Sequence, residues 1–374
     1  MNNIQQFKDL MCKENLNEIV IKTFCDYYEK LCSGEKGKLS EKDIAKPENI
    51  ADFNSLQTPE KSLFEKLVVI KLNGGLGTSM GLKKAKSLLE VKDGKTFLDL
   101  IVLQILHLRK KTDKDVPLMF MNSFNTQADT LEFLQKYPEL PLPRLPLDFL
   151  QNKFPKIKQS DFSPFKTDNK NSNWNPPGHG EIYTAMMISG VLDNLLESGI
   201  EYAFISNSDN LGAVPDEKIL GWFAKNNVPF LMEVCNRTEA DKKGGHLAQT
   251  SSGQLILREV AQCPEDEVED FQNIEKYSYF NTNNLWVNLK ALKQKLLETD
   301  NVLPLSLIVN PKESEGEKVF QIETAMGAAI SVFEGSRAMR VNRDRFAPVK
   351  KNSDLDLIRS ADYILTEDFR LVKR

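Results

Sequence analysis

At 374 residues, with 41% hydrophobic and 27% charged side chains, the chain is long enough for a large central domain with appendages and has the composition of a globular protein with a sizeable core. Its 49 basic residues fall short of its 53 acidic ones, a formal charge of −4, which speaks against a dedicated nucleic-acid or anionic-membrane binder, because such binding rests on concentrated basic surface. Five cysteines without CxxC spacing and three scattered histidines argue against a disulfide framework or a histidine-built metal site, and for reduced thiols in a cytoplasmic setting.

Residues 1 to 32 carry apolar positions at helical spacing (Ile4, Phe7, Leu10, Met11, then Ile19, Ile21, Phe24, Tyr28). They are charged throughout and lack the apolar core of a signal peptide. No run of about 18 apolar residues occurs, so no membrane span is expected. The next stretch, SGEKGKLSEKDIAKPENI, reads as an exposed connector, and residues 1–60 together as an N-terminal helical segment and linker. From KLVVIKL onward the texture changes. Strands are predicted near 66–72, at VPLMFMN, YAFISN and VPFLMEV, alternating with helices near 97–110, 127–136, 181–198 and 216–226. That rhythm predicts a doubly wound α/β sheet with ligands at the carboxyl ends of its strands. Residues 137–178 are Pro-rich and irregular, a loop long enough to be functional. GGHLAQTSSGQLILREV reads as a hairpin turning near Ser252-Gly253.

The stretch KLNGGLGTSMGLKKAKS follows the first strand with Gly74, Gly75, Gly77 and Gly81, and then Lys83, Lys84 and Lys86. The glycine spacing GxGxxxG is one residue too long for a dinucleotide fingerprint, and Leu82 stands where a P-loop needs its lysine. The physics common to both motifs remains. Missing Cβ atoms let backbone N–H groups approach a phosphate or a base edge, and the lysines supply charge for a polyphosphate.

LNGGLGTSMGLKKAKS closely resembles the signature of the eukaryotic-type UTP–glucose-1-phosphate uridylyltransferases, a family of UDP-glucose pyrophosphorylases. The resemblance makes Leu72, Asn73, Gly74 and Gly75 nucleotide-binding and Lys86 a phosphate-contacting catalytic lysine, with Ala85 where the family usually has proline. Further matches follow in family order from about residue 66 to 365. MNSFNT puts Met121 by the uracil, and FLQNKFP puts Gln151 where a glutamine amide reads the uracil edge. NPPGHGEIY brings Pro177, Gly178 and His179 to the nucleotide and phosphates, with a helix starting near Glu181 whose N-terminus suits an anion. FISNSDN supplies Asn207 and, as both nucleotide and Mg²⁺ ligand, Asp209; a carboxylate just past a strand suits that metal, although an Asn/Asp-rich turn is the ordinary alternative. The sugar side is implied at Gly244 and Gly245, at Asn281 and Asn283 (with helix capping by two of the FNTNN asparagines as the alternative) and at Glu323. RFAPVKKNSD makes Lys350 the second catalytic lysine.

The resemblance implies a nucleotide-diphospho-sugar transferase (GT-A-like, Rossmann-like) mixed sheet over residues 61–350. It also implies a C-terminal helical tail over 351–374, with the family's C-terminal β-helix expected to be absent. The implied partners are UTP, glucose 1-phosphate, UDP-glucose and pyrophosphate with Mg²⁺ as cofactor, the oligomeric state staying open. A pyrophosphorylase for other UDP-sugars or UDP-N-acetylhexosamine, and a non-catalytic nucleotide-sugar binder, are the alternatives.

Overall fold

The computed structural model describes residues 3–35, 37–76, 81, 84–349 and 351–374. Gly77, Lys83 and Lys350 therefore lie outside the described residues.

The centre is a mixed sheet built on β1 (Ala51–Asp52), β2 (Leu67–Asn73), β3 (Leu118–Asn122), β4 (Asp148–Leu150), β5 (Tyr202–Asn207) and β6 (Phe230–Asn236). The hairpin β7 (His246–Gln249) and β8 (Leu255–Arg258), the long β9 (Tyr279–Asn288) and β10 (Arg337–Arg340) complete it. The main path runs β1-β10-β6-β9-β5-β2-β3-β4, with β7 hanging from β9 and paired to β8. Only β9 runs against its two path neighbours; the other path pairs are parallel. Every residue of β2 is buried, as expected of a run apolar on both faces in the middle of a covered sheet.

Helices close both faces. On one lie α3 (Phe97–Thr112), α4 (Gln127–Leu134) and, further along, α7 (Glu217–Lys225); on the other lie α5 (Ile182–Ile188), α6 (Val191–Glu197) and α8 (Leu289–Glu298). The predicted strands and helices fall within a residue or two of their expected places. The exception is 181–198, which breaks into two helices where Gly190 takes a φ of +75°; a left-handed residue there ends one helix and starts the next.

The N-terminal α1 (Asn3–Lys13) and α2 (Glu18–Cys32) bury Phe7, Met11, Phe24 and Tyr28 against Phe154, Ile157, Trp174 and Ile322. They thereby cover a small sheet formed by Ile308–Ser314, Glu317–Glu323 and Ile157–Lys158. The connector after α2 is tethered rather than free. Ala45 bridges Gln249, and Glu41 and Glu267 both pair with the fully buried Arg258. The tail differs from its expectation as well. A helix at Asn352–Arg359 is followed by an antiparallel hairpin of Tyr363–Leu365 and Leu371–Lys373, two short runs of strand-favouring apolar residues.

Candidate active site

Parallel strands β2, β3 and β5 end side by side, Asn73 opposite Asn122 and Asn207 opposite Leu72. Asn73 does not open into the cleft. It is buried, and its amide donates to Asn122 Oδ1 (2.8 Å) and Thr130 Oγ1 (2.9 Å), tying the sheet edge together from below. The chain then leaves through Gly74, whose carbonyl accepts from Ser123 Oγ at 2.9 Å. Leu76 bridges Ala85, and Lys86 N–H donates to the Gly75 carbonyl at 3.1 Å, so the glycine turn returns to its own start. Ala85 is completely buried in this closure. The cleft above this edge holds about 300 Å³. Leu72, Gly74, Gly75 and Met121 form its floor, Gln151, Gly178 and His179 one wall, and Lys86, Asn207 and Asp209 the other.

On the second wall Lys86 Nζ donates to Asp209 Oδ2 at 2.6 Å and also reaches the Val349 carbonyl. Val349 N–H in turn donates to the Asp209 carbonyl at 3.2 Å. The segment that leads to Lys350 is thus fastened to Asp209, although Lys350 itself is not described. Asp209 Oδ1 is buried and has no hydrogen-bond partner among the described residues. Lys71, a residue sequence reasoning passed over, lies beneath. Its buried amine donates to Ser206 Oγ (2.8 Å) and the Ala213 carbonyl (2.7 Å), spanning both ends of the turn that carries Asp209. Desolvation first, with Arg345 adding to it, pushes this amine down to about 7. Its signal in the sequence was a lysine inside an otherwise apolar strand.

On the first wall Gln151 Nε2 donates to the Gly178 carbonyl at 2.8 Å. One of the two amide hydrogens is committed there, and Oε1 is the atom that faces Gly74. The buried carboxyl of Glu181, pushed up to about 8 by burial, accepts from Asn152 N–H at 3.1 Å and from its side-chain amide, steadying the loop next to Gln151. Pro177 is buried, its carbonyl accepting from Thr324 N–H. Burial pushes His179 down to about 4, so the ring is neutral at pH 7. Its Nδ1 accepts the Met326 N–H at 2.9 Å, which leaves the ring proton on Nε2 as a donor.

The expected anion site at the helix start is corrected by this geometry. Gly180 N–H is spent on the Thr324 carbonyl, and a Cβ on Gly178 or Gly180 would overlap Thr324. Both glycines make room for Thr324, while Gly178 also keeps its place in the cleft wall.

Five expected sugar-side residues do not line the cleft. Gly244 makes room for the Phe280 ring, and a Cβ on Gly245 would stand 2.6 Å from the Glu259 carboxylate. Asn281 and Asn283 are hydrogen-bonded to each other within β9, and Asn283 takes a φ of +57° where the β6–β9 register slips. That slip is a β-bulge, a device that re-aims side chains near sites; the FNTNN asparagines cap no helix, a task that falls to Asn288. Glu323 ends a strand of the small sheet beside Asn310 and Lys312, where burial raises its carboxyl. A continuous path still joins this group to the cleft. His179 touches Met326, Gly327 packs on Asn281, and Asn281 N–H donates to the Gly245 carbonyl. Glu259, not anticipated, is the carboxylate on that path.

Three comparisons bear on this arrangement. A family model described as UTP–glucose-1-phosphate uridylyltransferase matches residues 21–374. The enzyme of that name from Musa acuminata is 45% identical over 356 residues, 92% of this chain and 75% of its own length. That from Pyrus pyrifolia is 44% identical over 379 residues, 98% of this chain and 79% of its own length. Among solved structures, a variant of UDP-glucose pyrophosphorylase from Leishmania major in complex with UDP-glucose superposes with a TM-score of 0.93 at 45% identity, over all of this chain and 82% of the other. A Trypanosoma brucei structure gives a TM-score of 0.94 at 44% identity with the same coverage. At this identity and coverage, the chain belongs to the UTP–glucose-1-phosphate uridylyltransferase family.

Proposed function

We propose that this protein converts UTP and glucose 1-phosphate to UDP-glucose and pyrophosphate. The observation that carries the reading is the meeting of Lys86, Asp209, the bare backbone of Gly74–Gly75 and the Gln151 amide in one cleft at the sheet's carboxyl edge, in a chain whose relatives carry that name. The finer expectations follow from it. Residues 61–350 form a nucleotidyltransferase domain of the GT-A-like type, residues 1–60 an N-terminal segment and 351–374 a tail, and the five unpaired cysteines suit a cytoplasmic setting.

Each residue has a task its position supports. Gln151 Oε1, with Nε2 donating to the Gly178 carbonyl, accepts a hydrogen bond from the N3–H of uracil; cytosine carries no hydrogen there. Gly74 and Gly75 let the base and ribose lie close to backbone, with Leu72 and Met121 beneath. Lys86, and Lys350 by resemblance, neutralise charge on the phosphates. His179 Nε2–H donates to a phosphate oxygen while staying uncharged. The sugar extends toward Asn207 and along the path of Gly244, Gly245, Asn281, Asn283 and Glu259, with Glu323 further out.

The sugar-phosphate oxygen attacks the α-phosphorus of UTP in line, and the bond to the bridging oxygen breaks as pyrophosphate leaves. A phosphate nucleophile is already ionised, so no general base and no covalent intermediate are required. What the protein supplies is position and charge. The residues fit Mg²⁺: Asp209 Oδ1 is a buried oxygen without a partner among the described residues, and no cluster of three or more metal-ligating side chains occurs among them. One carboxylate with substrate phosphates and water is the set this ion takes, and bound there it would offset negative charge on the phosphoryl oxygens.

The test is pyrophosphate release from UTP, with and without glucose 1-phosphate and Mg²⁺. Release only with all three supports the reading; none with all three present overturns it. A panel of sugar 1-phosphates separates glucose from N-acetylhexosamine or broad specificity.

A further inference from the structure

Behind the cleft, and lining none of it, Glu233 on β6 is completely buried. Arg345 grips it with both arms of its guanidinium, Nε to Oε2 at 2.8 Å and Nη2 to Oε1 at 2.6 Å. Each carboxylate oxygen has a second donor, Trp286 Nε1 at 2.9 Å and Asn284 Nδ2 at 3.1 Å. Nothing about this carboxylate is left unsatisfied.

The network then runs toward the chemistry. Asn284 Oδ1 accepts from Asn210 Nδ2 at 3.2 Å, and both amides donate to the Arg345 carbonyl at 3.1 Å. Asn210 Oδ1 accepts Ala347 N–H at 3.0 Å and Gly212 N–H at 3.3 Å. Asn210 also forms a bridge with Pro348. A Cβ on Gly212 would overlap the Asp344 carbonyl, so the turn carrying Asp209 and the segment after Arg343 press directly on one another. The last links are Val349 N–H to the Asp209 carbonyl and Lys86 Nζ to the Val349 carbonyl.

We infer that Glu233 and Arg345 are positioning residues for the transfer reaction: through Asn284 and Asn210 they set the register of residues 345–349 against Asp209 and Lys86, and so the spacing of the phosphate-binding wall. The inference rests on the function proposed above. Stability is a poor explanation of the pair, since buried ion pairs can often be exchanged for apolar side chains without loss of stability. A guanidinium fork on a carboxylate, by contrast, accepts a single in-plane orientation. The β-bulge at Asn283 serves the same end, bringing Asn284 opposite Glu233 before the register slips.

The experiment compares wild type with Glu233→Leu/Arg345→Met and with Arg345→Lys, which keeps the charge on Glu233 but loses the fork and serves where the apolar pair does not fold. Pyrophosphate release gives kcat and the KM for UTP, Tm reports the fold, and hydrogen exchange follows the Ala347 and Val349 amides. The expected result is a kcat lower by about 10- to 100-fold, the scale of a misplaced reacting group, with KM within about threefold, Tm close to wild type and faster exchange at both amides. A purely structural pair would lower Tm and leave kcat per folded molecule unchanged. Turnover within twofold of wild type with unchanged exchange in a folded variant overturns the inference. A wild-type protein that releases no pyrophosphate defeats the functional reading alone, because the exchange measurement needs no substrate and still judges the latch.

Discussion

Gly74→Ala separates nucleotide reading from folding. Gly74 does not occupy the left-handed region, so an alanine there is free of backbone strain. Its Cβ would lie 2.8 Å from Gln151 Oε1, whereas an ordinary carbon contact needs about 3.5 Å, so one of the two must yield by about 0.7 Å. The glutamine yields more easily, being a side-chain end held by one hydrogen bond to Gly178. Moving it removes or skews the acceptor offered to uracil, a loss of about 1–2 kcal/mol, or roughly 5- to 30-fold in the KM for UTP. The fold should not suffer; restricting the unfolded chain favours the alanine by about 0.4–1 kcal/mol. Steady-state pyrophosphate release with UTP varied, beside thermal unfolding, gives both numbers. In a Gln151→Ala background there is nothing left to displace, and the added Gly74→Ala should change KM little. A Gly74→Ala enzyme with wild-type KM for UTP refutes the assignment of Gln151 to the base.

Asp209→Asn keeps the shape of the side chain but removes its charge; kcat should fall about 10²–10³-fold and the Mg²⁺ titration midpoint should rise. An unaltered titration excludes Asp209 as a ligand. Lys350→Ala should cost about 10²–10³-fold in kcat, the scale of one lost transition-state contact, without altering Tm; near-normal turnover would remove it from the catalytic set. Acid should destabilise the fold through His179, pushed down to about 4, and through His246, pushed down to about 3. His246 is fully buried, stacked on Tyr277 at 4.0 Å, with Arg237 and Arg258 adding to the effect of burial. Since both folded-state values lie below the unfolded value of about 6.5, the unfolded chain binds more protons in that window and stability is lost as pH falls through it. Between pH 6.5 and 5 the loss is about 1.6 kcal/mol per histidine. His246→Phe should therefore narrow the Tm difference between pH 7 and pH 5, and an identical difference in the two proteins contradicts the burial argument.

Four strands of the sheet and its hairpin were legible as short apolar runs with helical stretches between them, whereas β1, β4, β9 and β10 were not. Lys86, Asp209, Gln151 and His179 were legible through a resemblance carried by their flanking residues, and their meeting in one cleft needed coordinates. What the sequence could not show was the packing around each residue. Gly244 and Gly245 read as openings for a sugar; that their missing Cβ atoms also make room for Phe280 and Glu259 shows only in the fold. Asn281 and Asn283 read as sugar-contacting amides, with helix capping as the alternative, and the bulge that uses them leaves no trace in hydrophobic period. Glu233 and Arg345 were invisible, and Lys71 showed only as a lysine inside an apolar strand, for a related reason. A charged residue in a sequence is presumed solvated, and only the fold brings together partners as distant as Glu233 and Arg345, 112 positions apart.

The contact between Lys86 and Val349 spans 263 positions of chain. At a synthesis rate of about 5–20 residues per second, the ribosome needs roughly 13 to 53 s to travel from one to the other. Until Val349 has been made, the wall that Lys86, Asp209 and Val349 form together cannot close, so a substrate that needs it cannot stabilise the nascent chain.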